Sequence, residues 1–397
     1  MRAAFVVLPP LLLALLAGRL LLAVEPSPEV RPDAPTAVSG TNIFACELYS
    51  KLSSKSGNIF FSPFSIHTAL SMTSAGAGGK TLSEFTAVLH ALPNEKAQLA
   101  AISALAHRYD GAKDYELAVA NRLFGRVGES FQPAFLTLCQ DTFGAPLEQV
   151  AFPEPGRTRI NAWVEERTKT KIKDLIPVSG VDANTALVLV NAIYFKGTWA
   201  TQFDPAVTKD GVFTISPDTT VTVPFMARSD HILLAKMGAA TLVELPYVGG
   251  DLVMDLIVPN EKDGLNAVEQ KLDMAVLQTS LAALLPTKVE LSLPRFTLRW
   301  GTESLKAPLQ ALGLRSAFAD ADFSRLGNVN ISDVFHQAFA AVDEQGTVAA
   351  AATAVATRKN GHGTPAVVVR ADHPFLFLIR DCKTTAIIFM GRVVDPK

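Results

Sequence analysis

The sequence predicts an α+β protein. Helical patterns gather in the first half and strand patterns in the second, without the regular alternation of a doubly wound sheet. Hydrophobic residues make up 49% and charged residues 19%, which fits a packed globular chain and excludes a disordered one. Residues 185–195, TALVLVNAIYF, are so continuously apolar that they fit a strand buried on both faces. A length of 397 residues leaves one large domain or two to three smaller ones open. The formal net charge of −2 offers no broad basic surface, which excludes nucleic acid as a partner. The cysteines Cys46, Cys139 and Cys382 are odd in number and widely spaced, so they read as small buried hydrophobes rather than a disulfide framework or metal site.

Residues 1–23 carry one early cation, Arg2, then an apolar run through Ala17 and small residues at the end, the layout of a cleaved export signal. Pro9, Pro10 and Arg19 interrupt that run, and a retained membrane anchor is the alternative. Export places the mature chain outside the cytoplasm. Pro26, Pro28, Pro32 and Pro35 make residues 24–40 an extended linker, and the folded body is expected over residues 41–397.

Residues 42–51 space Phe44 and Leu48 as a helix, and Ser62-Pro63 ends a short apolar strand and opens a second helix. Gly76, Gly78 and Gly79 read as that helix's terminator. Gly79-Lys80-Thr81 imitate the end of a phosphate-binding loop, but Ser74 stands where its first glycine belongs. Residues 117–124 alternate as a strand, and residues 159–175 read as an amphipathic helix with Ile160, Trp163, Val164 and Ile172 on one side. Asn191, a polar member of the buried strand, needs an internal partner. Strand patterns recur at 221–226, 241–247, 252–258, 288–293, 331–342, 367–369, 375–380 and 386–393, with helical patterns at 265–285 and 303–312. There is no internal repeat.

Residues 339–365 are the most unusual stretch. From Gly346 to Thr357 there is no charge, with Glu344 just before the run and Arg358 and Lys359 just after it. Ala349 to Ala352 favour helix. Val348, Thr353, Val355 and Thr357 are β-branched and no polar face appears at helical spacing, so a strand competes. Asn360-Gly361, Gly363 and Pro365 add the turn chemistry of an exposed loop.

An enzyme reading fails for want of a reacting constellation. There is no GxSxG elbow, HExxH helix or GxGxxG turn, and the seven histidines lack ligand spacing, so neither metal nor cofactor is indicated. Arg157, Arg159, Arg167, Lys169, Lys171 and Lys173 are interspersed with Glu165, Glu166 and Asp174 and form a solvated face.

Several long stretches, in order, resemble the serpin family: NIFFSPFSIHTALSMTSAGAGGKT, INAWVEERTKTKIKDL, LVNAIYFKGTW, LPYVGGDLVMDLIVP, VELSLPRFTLRW, ISDVFHQAFAAVDEQGTVAAAATA, DHPFLFLIRD and IIFMGRVVDP. The resemblance covers roughly residues 42–396. It implies a monomeric single domain of three β-sheets and eight or nine helices, with residues 339–365 holding an exposed reactive-centre loop. It implies suicide inhibition: a protease attacks the loop, forms an ester, and is trapped as the freed loop inserts into the large sheet. Glu344, Gly346, Thr347, Ala349, Ala350, Ala351 and Ala352 correspond to the hinge of that loop. Ser62, Ser65, Asn191 and His336 correspond to the polar cluster beneath the opening sheet, and Trp199, Arg295 and Glu344 to the group where the loop enters, with Arg295 and Glu344 an ion pair. The family register puts the cut after Asn360, before Gly361. Arg358 and Lys359 are better anchors for a trypsin-like pocket, which wants a cation. The expected target is therefore a trypsin-like serine protease, with a cysteine or asparagine-directed protease, or a non-inhibitory binding role, as alternatives.

Overall fold

The computed structural model describes residues 36–347 and 365–397. The expected export signal and reactive bond lie outside them. Folding begins earlier than residue 41: α1 (Ala37–Leu52) starts within the expected linker because Thr36 caps it, its hydroxyl accepting the Ser39 N–H at 3.0 Å while Ser39 Oγ accepts the Thr36 N–H. Gly40 fits this helix because an added Cβ would meet the His90 carbonyl oxygen at 2.5 Å. The other helices are α2 (Pro63–Ser74), α3 (Gly79–Val88), α4 (Glu95–His107), α5 (Pro133–Phe143), α6 (Gly156–Arg167), α7 (Leu265–Glu269), α8 (Met274–Ala282) and α9 (Lys306–Leu312), nine among the described residues.

The first strands are β1 (Ile59–Phe61), β2 (Tyr115–Arg126), β3 (Glu148–Val150), β4 (Leu187–Thr198), β5 (Lys209–Ser216), β6 (Thr219–Met237) and β7 (Ala240–Pro246). They continue with β8 (Leu252–Pro259), β9 (Leu285–Pro294), β10 (Phe296–Ser304), β11 (Ile331–Val342), β12 (Gly346–Thr347), β13 (Val367–Arg370), β14 (Phe375–Asp381) and β15 (Ile387–Val393). One sheet runs β10-β11-β12-β4-β2-β3. The other runs β1-β15-β14-β8-β7-β6-β9-β13, with β5 also on β6. The expected third sheet is thus hydrogen-bonded into the second. The 19-residue β6 carries β5 near its start, β9 along its middle and β7 at its end.

β4 is buried on both faces, as its composition predicts. Leu187, Leu189, Ile193 and Phe195 face the two larger apolar clusters, and Val188, Val190, Ala192 and Tyr194 face Ile160, Trp163 and Val164 of α6.

Four expectations are corrected. The 159–175 helix stops at Arg167: Thr168 Oγ1 accepts the Ile172 N–H at 3.2 Å, and Lys169, Thr170 and Asp174 have positive φ. Ile172 and Leu175 are buried all the same, carried by a turn. The 265–285 helix breaks at Asp273, which caps α8 by accepting the Val276 N–H at 2.8 Å. The glycine cluster also opens a helix, with Gly78 as the N-cap of α3. Cys382 is exposed, unlike Cys46 and Cys139.

Candidate functional site

β4 and β11 form the parallel pair at the middle of the smaller sheet, joined from Ile331↔Leu187 to Phe339↔Tyr194. Above that point β12 lies between them, with Thr347 opposite Val342 on one side and Gly197 on the other. Two polar clusters flank this fork.

The lower cluster centres on His336 and Asn191, which are cross-strand partners. Ser62, Ser65, Asn191 and His336 are all fully buried. Ser62 is the N-cap of α2; its Oγ accepts the Ser65 N–H at 3.1 Å and donates to the Ile388 carbonyl at 2.6 Å. The Ser62 N–H donates to His336 Nε2 at 3.2 Å. This places the ring proton on Nδ1, which donates to Asn191 Oδ1. Asn191 Nδ2 donates to Ser65 Oγ at 2.6 Å and to Asn121 Oδ1. Every member therefore has a partner of the right polarity. Burial drives the His336 imidazole down to about 3. A proton on Nε2 would set two donors against each other at Ser62.

The upper cluster holds the start of the loop run. Asp343 forms a tight turn, its N–H donating to the Gly346 carbonyl at 2.9 Å and its Oδ1 accepting the Gln345 and Gly346 N–H groups at 2.9 and 3.2 Å. Trp199 stacks on Tyr247 at 4.6 Å and donates from Nε1 to the Asp343 carbonyl at 2.9 Å. Glu344 is buried, and its Oε1 accepts from Arg295 Nε at 2.8 Å and Nη2 at 2.5 Å and from Thr208 Oγ1 at 2.6 Å. Burial pushes the carboxyl up, but these hydrogen bonds outweigh it and hold Glu344 below the usual glutamate range. An added Cβ on Gly346 would meet the Gly197 carbonyl oxygen at 2.0 Å, so glycine is what lets the chain lie this close to β4. Thr347, fully buried, bonds the Tyr247 hydroxyl at 2.7 Å.

Trp199, Arg295 and Glu344 thus gather at one end of the seam, with Gly346 and Thr347 beside them, and Ser62, Ser65, Asn191 and His336 gather lower down. Ala349, Ala350, Ala351, Ala352, Arg358, Lys359, Asn360 and Gly361 lie outside the described residues. Asn121, Thr208 and Tyr247 join the clusters without having been singled out from sequence. The fork and its two clusters sit in a chain whose residues 39–396 match the profile described as serpin, serine protease inhibitor. The chain belongs to the serpin family. It is 38% identical over 370 residues to the leukocyte elastase inhibitor of Bos taurus, covering 89% of this chain and 97% of that protein. It is 37% identical over 370 residues to Iris of Ixodes ricinus, covering 88% and 96%. Among solved structures, human thyroxine-binding globulin superposes with a TM-score of 0.84 at 29% identity, covering 91% of this chain and 98% of that one. This serpin therefore resembles one protein named as an inhibitor and one named as a binder, in a family described as serine protease inhibitors.

Proposed function

We propose that this serpin is an exported suicide inhibitor of a trypsin-like serine protease. The observation that carries the reading is β12, two residues of the uncharged run already lying between β4 and β11. Each residue further along the run meets one residue back along both neighbours. In that register Thr353 falls opposite Asn191 on β4 and His336 on β11, and Thr357 falls opposite Leu187, the end of β4. The uncharged run Gly346 to Thr357 therefore matches the length of β4, and the first charge, Arg358, falls just past it. Thr347, Ala349, Ala351, Thr353, Val355 and Thr357 would face the main core, and the alternate residues would face α6. Neither face carries a charge to desolvate.

The target's serine attacks the carbonyl of the residue before the cut bond and releases the following residue's amine, leaving an ester. Insertion of residues 348–357 adds about ten main-chain hydrogen bonds, each worth roughly 1 kcal/mol net, which is enough to make the trap irreversible. Thr353 would bring a hydroxyl to the asparagine and histidine that insertion separates. Arg358 or Lys359 supplies the cation a trypsin-like pocket wants, with Asn360 the second choice. Incubation with trypsin should give a complex that survives boiling in denaturant. Cleaved chain alone would overturn inhibition of trypsin, and the mass of the released peptide locates the bond. Export rests on the layout of residues 1–23, and a mature amino terminus beyond residue 23 in culture medium would bear it out.

A further inference from the structure

The parallel pairing of β4 with β11 ends at Ile331↔Leu187, and just below it the Ala186 N–H donates to Ser332 Oγ at 3.0 Å. Around this lower end of the seam, the connection into β4, the entry to β11, Lys306 and the turn after β2 line a cavity of about 560 Å³. Its lining is mainly polar, which suits a segment of chain better than an apolar ligand.

The charges in that lining do not cancel. Arg126 is spent on Glu129, donating from Nε at 3.1 Å and Nη2 at 2.5 Å, and on the Ala183 carbonyl at 3.1 Å. Lys306 Nζ lies 5.6 Å over the Phe318 ring and donates to the Ser332 carbonyl at 3.3 Å. Asp182 Oδ1 accepts the Asn184 N–H at 2.9 Å and the Thr185 hydroxyl at 3.1 Å. Asp333 Oδ1 accepts the Ser304 hydroxyl at 2.6 Å and the Val334 N–H at 2.7 Å. Neither aspartate has an ion pair among the described residues. Burial pushes the Asp333 carboxyl above the usual aspartate range, against the pull of its hydrogen bonds and of Lys306. A further cation beside it would relieve that cost.

The loop carries one to this place. Counting from Thr347 opposite Val342, Ala356 falls opposite Asp333, and Arg358 follows on the same side of the sheet. That is the side of α6, because Asp333 pairs with Val188, which packs with Ile160, Trp163 and Val164. We propose that this cavity is the docking site of Arg358 at the end of the inserted strand, with Asp333 and Asp182 receiving its guanidinium. The proposal rests on the insertion reading above. Lys359, one residue on, would turn to the opposite side, where Phe318 of the main core carries Lys306, and like charges repel. The cavity thus favours a strand that ends at Arg358, so cleavage between Arg358 and Lys359 gives the most stable product.

The test compares calorimetric melting points of the full chain before and after trypsin cuts the loop, with the cut chain freed of complex and the bond identified by mass. Insertion raises the melting point on cutting. Asp333→Asn keeps an acceptor for Ser304 and should lower the melting point of the cut chain about 1–2 °C more than that of the uncut chain. This excess should shrink as salt is raised. It should vanish in an Arg358→Gln background, where trypsin cuts at Lys359, whereas a purely structural role of Asp333 would keep it. An equal rise on cutting with and without Asp333→Asn, or an excess that persists without Arg358, would overturn the docking and leave insertion standing. No rise on cutting would overturn both.

Discussion

The two polar clusters on the seam between β4 and β11 do opposite work. The lower one is neutral and, apart from half-buried Asn121, fully buried, and it ties the strands together through a directional chain from Ser62 through His336 and Asn191 to Asn121. The upper one is charged and partly wet, Arg295 being 44% exposed on its side chain, and it is built around a strand that has already parted the same pair. The lower cluster should therefore answer to protonation and lost hydrogen bonds, the upper one to steric or charged obstruction of β12. Their difference gives a graded set of tests.

The largest effect is expected from Thr347→Arg. Thr347 is fully buried against Tyr247, and under the proposed mechanism insertion continues from it. A guanidinium there has no partner, and desolvating it costs several kcal/mol. Trypsin should cut the variant and form no stable complex, as read on a denaturing gel; a normal yield of complex would show that the run does not insert from this point.

His336→Leu comes next. It leaves the Ser62 N–H and the Asn191 carbonyl oxygen buried without partners, at about 1–3 kcal/mol each, measurable as a fall in the urea midpoint. The same residue sets an acid response. Its native pKa, about 3, lies below the usual 6.5, so the native state resists a proton that the unfolded chain accepts. Stability is complete above pH 6.5 and falls as pH drops toward 3, by up to roughly 4–5 kcal/mol. His67, driven down to about 4 by burial, adds a loss over 6.5 to 4. His336→Leu should flatten the wild-type slope without removing it; an unchanged slope would mean that this imidazole is not held neutral.

A smaller effect tests the register linking the clusters. If Thr353 arrives between Asn191 and His336, Thr353→Val should leave the uncleaved protein unchanged and destabilise the cleaved form by about 1–3 kcal/mol. Equal stability of the two cleaved forms would place another residue at that position.

How much of this was legible follows the range of the forces involved. β11 was predicted at residues 331–342 and found there, and β4 announced its double burial by composition. Helix ends were less readable, because Thr36, Thr168 and Asp273 act through single side-chain bonds that periodicity does not register. Asn121 sits in an ordinary alternating strand and acquires meaning only when register sets it opposite Asn191. Thr208 and Tyr247 are 136 and 100 residues from the groups they bond. Resemblance to a family named Ser62, Ser65, Asn191, His336, Trp199, Arg295 and Glu344, but which atom donates to which came from geometry.

The smallest effect is expected from Glu344→Gln, although this carboxylate belongs to the charged cluster. Burial and the Arg295 pair oppose each other at Glu344, and Arg295 is exposed enough for solvent to screen the attraction, so the pair contributes on the order of 1 kcal/mol or less. An amide also keeps an oxygen for Thr208. The variant should fold, with a small drop in the melting point that shrinks as salt is raised. Because Glu344 lies only two residues before β12, loosening it should free the loop more than it weakens the body, and slow polymer formation on warming should exceed what the stability change accounts for. A melting point unchanged at low salt, with no polymers on a native gel, would mean that the turn at Asp343 positions β12 without the ion pair.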